Sequence, residues 1–170
     1  QDDPAWTRET VPDPSSSYGA FPSIAVDAGG DVHVAYYDLA GDTLKVARKS
    51  GGSWWFESPA GASATGVGTW ASLALDGNDN PGIAYYDSVA KSLMFVQNDG
   101  TNWSSPVAVD GSGDAVGWFA SLAYNGLGAS GRPGIAYYDL TNQALKFAWF
   151  NGTAWNDVTV DNSEPAGQWA

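Results

Sequence analysis

The chain has 170 residues, enough for a domain with a buried core, and no apolar run approaches the roughly 20 residues needed to span a bilayer. Nineteen Asp and Glu against seven Lys and Arg leave a formal charge of -12, which repels phosphate backbones and anionic lipid and sets nucleic acid aside as a partner. Cysteine is absent, excluding disulfides and thiolate chemistry, and 21 Gly, 9 Pro, 9 Trp and 8 Tyr describe a turn-dense aromatic protein rather than a helical bundle.

The first expected element covers residues 6–11, which begin at Trp6 and match the segment from Trp103 in spacing and residue type. A unit of four segments follows. Ser23-Ile24-Ala25-Val26-Asp27 opens strand a, Ala35-Tyr36-Tyr37-Asp38 ends strand b, Leu44-Lys45-Val46-Ala47 lies in strand c, and Trp55 starts strand d. The same markers return as Ser72-Leu73-Ala74-Leu75-Asp76, Ala84-Tyr85-Tyr86-Asp87, Leu93-Met94-Phe95-Val96 and Trp103. They return again as Ser121-Leu122-Ala123-Tyr124-Asn125, Ala136-Tyr137-Tyr138-Asp139, Leu145-Lys146-Phe147-Ala148 and Trp155. The serines lie 49 residues apart, and extra residues in 125–132 stretch the last Tyr-Tyr-Asp interval to 52, which implies a surface loop. Gly167-Gln168-Trp169-Ala170 matches Gly68-Thr69-Trp70-Ala71 and begins another strand a.

These short segments are rich in Val, Ile, Tyr, Phe and Trp, are broken by Gly, Asp and Asn, and show no sustained 3.6-residue period. Four strands per unit of 40 to 50 residues is a propeller-blade pattern. The expected fold is all-β: a β-propeller segment of four-stranded antiparallel blades. Residues 1–13 form an outer strand of a preceding blade, 17–63, 66–113 and 115–163 form three blades, and 167–170 start an inner strand. Three blades leave two open flanks. Either the chain is part of a longer propeller, or it self-associates to close the ring.

The units Gly-x-Trp-Ala-Ser-Leu-Ala-Leu-Asp and Asn-Pro-Gly-Ile-Ala-Tyr-Tyr-Asp resemble the highly repetitive sialidase-like propellers of bacterial secreted and surface proteins. The turns Asn98-Asp99-Gly100-Thr101-Asn102-Trp103 and Asn151-Gly152-Thr153-Ala154-Trp155 look like degenerate Asp-box hairpins of that Asp-box (BNR-type) family, with Ser50-Gly51-Gly52-Ser53-Trp54-Trp55 a weaker copy. The resemblance implies the propeller fold and an extracellular or cell-surface location. In that family the Asp box is a structural hairpin away from the catalytic face.

Alternating strand direction puts the d-to-a and b-to-c connections on one face. That face collects Phe21, Trp70, Phe119 and Trp169 at the start of strand a, Asp38, Asp87 and Asp139 at the end of strand b, and Asp13, Asp110 and Asp161 at the end of strand d. A flat aromatic beside carboxylates suits a sugar, offering a surface to the C–H side of a pyranose and acceptors to its hydroxyls. The same residues also suit packing between blades and turn capping. The ligand-binding residues expected here are Phe21, Trp70, Phe119, Trp169, Asp38, Asp87 and Asp139.

No catalytic set is visible. His33 is the one histidine and is unrepeated, its counterparts being Gly82 and Gly134. The resemblance admits a sialidase, which needs three converging arginines, but Arg8, Arg48 and Arg132 fall in different layers. Asp76-Gly77-Asn78-Asp79-Asn80 has the composition of a calcium loop without the Glu that completes an EF-hand, so no cofactor or metal is expected, with weak calcium binding left open on so acidic a surface. The expected function is a non-catalytic binding module for a glycan or another surface ligand, against a sialidase-like glycoside hydrolase or a protein-interaction scaffold.

Overall fold

The computed structural model describes residues 7–14, 19–111, 113–126, 131–163 and 166. Sheet 1 contains β1 (Gly19–Val26), β2 (Val32–Asp38), β3 (Thr43–Ser50) and β4 (Ser53–Glu57). Sheet 2 contains β5 (Val67–Leu75), β6 (Pro81–Asp87), β7 (Ser92–Gln97) and β8 (Val107–Asp110). Sheet 3 contains β9 (Val116–Asn125), β10 (Arg132–Asp139), β11 (Ala144–Phe150) and β12 (Trp155–Asp161). Each is an antiparallel meander in chain order, and the described residues hold no helix.

The strands a expected to lie innermost do so: β1, β5 and β9 pack on one another, while β8 and β12 scarcely meet. The serine markers explain the repeat. Ser23 Oγ accepts the amide of Leu73 at 2.9 Å and Ser72 Oγ that of Leu122 at 2.9 Å, so each inner strand is stapled to the next. Gly68 and Gly117, both at φ 110°, cross directly over the backbone of Leu44 and Leu93, where a Cβ would approach within 2.7 and 2.9 Å. Only glycine fits such a crossing. The core is divided into two layers between the sheets, one around Leu44, Val46, Leu73, Ile83 and Tyr85, the other around Leu93, Phe95, Leu122, Ile135 and Tyr137.

A polar latch joins sheets 2 and 3 and recurs between sheet 1 and the segment before it. Tyr137 Oη donates to Asp110 at 2.7 Å, and Lys146 pairs with the same carboxylate. Burial alone would lower the Lys146 pKa, but bonds to Asp110 and Asp157 carry it above its ordinary value. Asp13 repeats the arrangement with Tyr36 at 2.6 Å and Lys45 at 3.6 Å. At the central junction Met94 takes the lysine position and packs with Ala60 and Ala64 in the apolar layer. An ammonium buried without its carboxylate is costly, so the basic and acidic partners are lost together.

Two sequence expectations change. Residues 7–13 form no strand, because no described strand lies beside them to complete a ladder; side chains hold them instead, Asp13 as above and Glu9 through Lys49 and Trp54. The counterpart of Trp103 and Trp155 is Trp54 rather than Trp55. Trp54 pairs with Lys49 as Trp103 pairs with Asn98 and Trp155 with Phe150, each tryptophan five positions after its partner across a hairpin of the same length. His33 is a buried local packing residue that faces Asp27, and at its counterpart Gly82 a Cβ would meet the Tyr124 hydroxyl of the next sheet. Trp6 and the segment 167–170, with Trp169, lie outside the described residues.

Candidate functional site: clefts between adjacent sheets

The expected aromatics do come together. Two residues of each inner strand, led by Phe21, Trp70 and Phe119, bulge opposite a single tyrosine of the neighbouring strand, and all three aromatics have left-handed backbones with φ 51°, 56° and 52°. Their rings form a row, with centroids 4.4 Å apart for Phe21 and Trp70 and 4.2 Å for Trp70 and Phe119; Trp118 stacks on Trp70 at 5.7 Å. Non-glycine residues in this region cost of order 1–2 kcal/mol each, so the surrounding bulge and ring contacts must hold them there. The aspartates are engaged in turns. Asp38 is 1% exposed and accepts the Ala40 amide; Asp139 is 3% exposed and accepts the Asn142 amide and side chain. Asp87 accepts the amides of Val89 and Ala90 at 2.9 and 2.8 Å.

The concave polar surface lies on the opposite face, that of the a-to-b and c-to-d turns. A cleft of about 280 Å³ opens between sheets 1 and 2. Sheet 1 contributes Asp27, His33, Arg48 and Glu57, and sheet 2 contributes Asn80, Asn98 and Trp103. These groups are fixed by one another. Asp27 accepts the Asp31 amide at 2.8 Å and faces His33 Nε2 at 3.3 Å. Arg48 donates to Asp31 at 2.7 Å while its side chain stays half exposed, and Trp103 Nε1 donates to Glu57 at 2.8 Å across the junction. The Asp31 amide, and then His33, hold the Asp27 carboxyl below the usual carboxylate range, and hydrogen bonds from Ser50 and Arg48 do the same for Asp31. Both are therefore charged acceptors at neutral pH.

An equivalent cleft of about 760 Å³ lies between sheets 2 and 3, where Asp76, Phe95, Gln97, Arg132, Phe150 and Trp155 stand at the repeat positions. It is the more aromatic, with Phe95 and Trp155 edge to face at 5.2 Å. Asp76 is occupied by its own turn and by Gln97, and among the described residues no three carboxylates or histidines are arranged to hold a metal ion. Arg48 lines one cleft, Arg132 the other, and Arg8 belongs to the segment before sheet 1, so the three arginines are dispersed. Sequence reasoning missed these clefts because each is shared by two units. The available signal was the Trp that follows a Gly-Thr turn at Trp103 and Trp155, together with the Asp that ends the first two strands a at Asp27 and Asp76.

No protein-family description matches the chain, and no curated protein does. Solved structures do resemble it. A fucose lectin from Kordia zhangzhouensis, in complex with methyl-fucoside, superposes with a TM-score of 0.53 at 15% identity over 81% of this chain and 96% of that one. The fucose-specific lectin from Aleuria aurantia gives 0.53 at 17% identity over 86% of this chain and 47% of that one. A protein of unknown function from Dyadobacter fermentans gives 0.59 at 17% identity, covering 89% and 54%. The chain thus spans about half the length of the latter two. At these identities the likeness shows the fold, a β-propeller-type stack of four-stranded sheets.

Proposed function

We propose that the chain is a non-catalytic glycan-binding module and that the clefts between adjacent sheets hold the sugar. The observation that carries this reading is the first cleft itself: an indole wall at Trp103, a half-exposed guanidinium at Arg48 and ordered carboxylates at Asp27 and Glu57, converging from two sheets. Such a set offers donors and acceptors to ring hydroxyls and a flat apolar surface to the C–H face. Carboxylates outnumber cations around it, so a neutral pyranose fits better than an acidic sugar such as sialic acid. Two structural neighbours are fucose lectins, which accords with this reading. A surface-exposed or extracellular setting would put such a module where glycans are.

A second reading keeps the ligand on the Phe21, Trp70 and Phe119 row, and the left-handed backbone repeated at all three supports it, since strain of this kind gathers at ligand clamps. Calorimetric titration with methyl-fucoside and a panel of neutral and acidic glycosides tests both. The cleft predicts that Glu57→Gln and Arg48→Ala, in protein with unchanged near-ultraviolet dichroism, each weaken binding of a neutral sugar at least about tenfold, or about 1.4 kcal/mol, while Trp70→Leu leaves it intact. The opposite pattern favours the aromatic row. A panel without any response removes the glycan reading and leaves the protein-interaction scaffold.

A further inference from the structure

We infer that the cleft between sheets 1 and 2 takes two linked sugar units, the second lying on Trp55; this rests on the proposed function of that cleft. A second hollow of about 400 Å³ is lined by Arg48, Ser50, Trp55 and Glu57. Arg48 and Glu57 also line the first hollow, so the two share a wall. Strand pairing explains the continuity. Arg48 stands between His33 and Trp55 in one cross-strand row, and Glu57 pairs with Val46 in a neighbouring row. Residues directly opposite share a face and alternate residues return to it, so His33, Arg48, Trp55 and Glu57 belong to one face of sheet 1. Glu57 reaches Trp103, and Val46 packs with Leu73 and Ile83, so that face is the one turned to sheet 2.

Trp55 stands apart from the tryptophans near it. Trp54 and Trp103 donate their indole N–H groups to Glu9 and Glu57, and Trp103 packs on the core. The Trp55 side chain makes no hydrogen bond or ring contact among the described residues, and Trp55 is 52% exposed. A single indole on a surface is ordinary, but this one shares a hollow with a guanidinium and a carboxylate. Such a set stacks on the C–H face of a pyranose while its hydroxyls bond the charged groups. Arg48 suits the boundary between the two units. One of its nitrogens donates to Asp31 and its side chain is half exposed. A guanidinium carries five N–H donors in a fixed fork, enough to meet a hydroxyl on either side of a glycosidic link.

The repeat supplies an internal comparison. In the cleft between sheets 2 and 3, Gln97 stands at the place of Arg48 and Ser104 at that of Trp55, and the Ser104 hydroxyl accepts the Gln97 amide at 3.2 Å. The guanidinium of that cleft, Arg132, comes from the opposite wall. With no indole at the position of Trp55, the gain from a second unit belongs to the first cleft, one per chain. Carboxylates flank both hollows there, at Asp27 and Glu57, so both units are neutral.

Calorimetric titration of the intact chain with matched pairs tests it: methyl-galactoside against lactose, methyl-glucoside against cellobiose, methyl-mannoside against mannobiose and methyl-fucoside against fucosyl-galactose. At least one disaccharide should bind about fivefold or more tighter than its methyl glycoside, the order expected from covering one face of an indole, and at one site per chain. Trp55→Ala alters an exposed side chain, so far-ultraviolet dichroism should not change. It should remove the disaccharide gain while moving the methyl glycoside constant by less than about twofold, and Trp55→Tyr, which keeps a flat ring, should retain most of the gain. Disaccharides that bind no tighter than methyl glycosides overturn the inference, as does a gain that survives Trp55→Ala or an equal loss of both members of a pair. Those results leave the proposed function standing as long as Arg48→Ala and Glu57→Gln weaken single-unit binding. If no member of any pair binds, the proposed function falls and this inference with it.

Discussion

Replacing Gly82 by alanine tests the packing between sheets 2 and 3 at a single atom. A Cβ at this position runs into the Tyr124 hydroxyl and comes within 3.1 Å of the Phe95 ring. Overpacking of this kind costs about 1–3 kcal/mol, against which about 0.5–1 kcal/mol returns from placing alanine rather than glycine in a strand. Gly82→Ala should therefore destabilise by about 1–2 kcal/mol, a fall of about 2–8 °C in Tm for a chain of this length. The Tyr124 hydroxyl is buried without a hydrogen-bond partner among the described residues, so Tyr124→Phe should be neutral or stabilising by about 1 kcal/mol. In the Tyr124→Phe background the cost of Gly82→Ala should shrink by at least about 1 kcal/mol. Gly134→Ala is the control: its Cβ meets only the ring of Phe147 and the Ala148 carbonyl, and Phe147 is 38% exposed and able to swing aside. Urea denaturation of the four variants measures the cycle. Equal costs for Gly82→Ala in both backgrounds would show that the hydroxyl is not what excludes a side chain there.

The inter-sheet latch makes a second cycle. Asp110→Ala should cost about 1–3 kcal/mol, because Lys146 stays buried with only Asp157 as its partner, and adding Lys146→Met, which copies Met94, should restore most of the loss. Chemical denaturation reads this, and a double variant as unstable as Asp110→Ala alone would contradict the pairing argument. Tyr37 is pushed up to about 12, by burial and then by its hydrogen bond to Asp42, and burial also raises Tyr85 and Tyr124. A raised tyrosine keeps its full contribution to stability below its unfolded value near pH 10 and loses it as pH rises through the folded value, so stability should fall from about pH 10 upward. Phenolate absorbance should show several tyrosines titrating late, and a uniform transition near pH 10 in folded protein would refute the assignment.

The fold was legible because the chain repeats it. A serine every 49 residues marks a staple, Tyr-Tyr-Asp marks a strand that ends in a turn cap, and glycine marks the crossing over the neighbouring sheet. What the sequence hid were relations between units. Glu57 lies 46 positions from Trp103, and nothing local to either residue announces the bond. Two adjacent tryptophans hid the register of strand d in the first unit, where the pairing with Lys49 selects Trp54. The segment before sheet 1 matched a strand in every residue type, yet a strand is a property of two neighbours, and residues 7–13 have side-chain anchors instead of a ladder. The carboxylates expected to meet a ligand were the ones that hold turns, whereas Glu57 gains its setting from Trp103 of the adjacent sheet.

The serine staples both link residues 50 positions apart, from 23 to 73 and from 72 to 122. A contact that joins each serine to the residue just after its equivalent one period later is unchanged when a whole period is inserted or removed. The molecule can thus lengthen by duplication of one stretch of gene, with every new junction already compatible at birth. Changes smaller than a period have no such freedom unless they fall in a connecting loop, which is where the chain's one length variation in strand b spacing, within residues 125–132, is found.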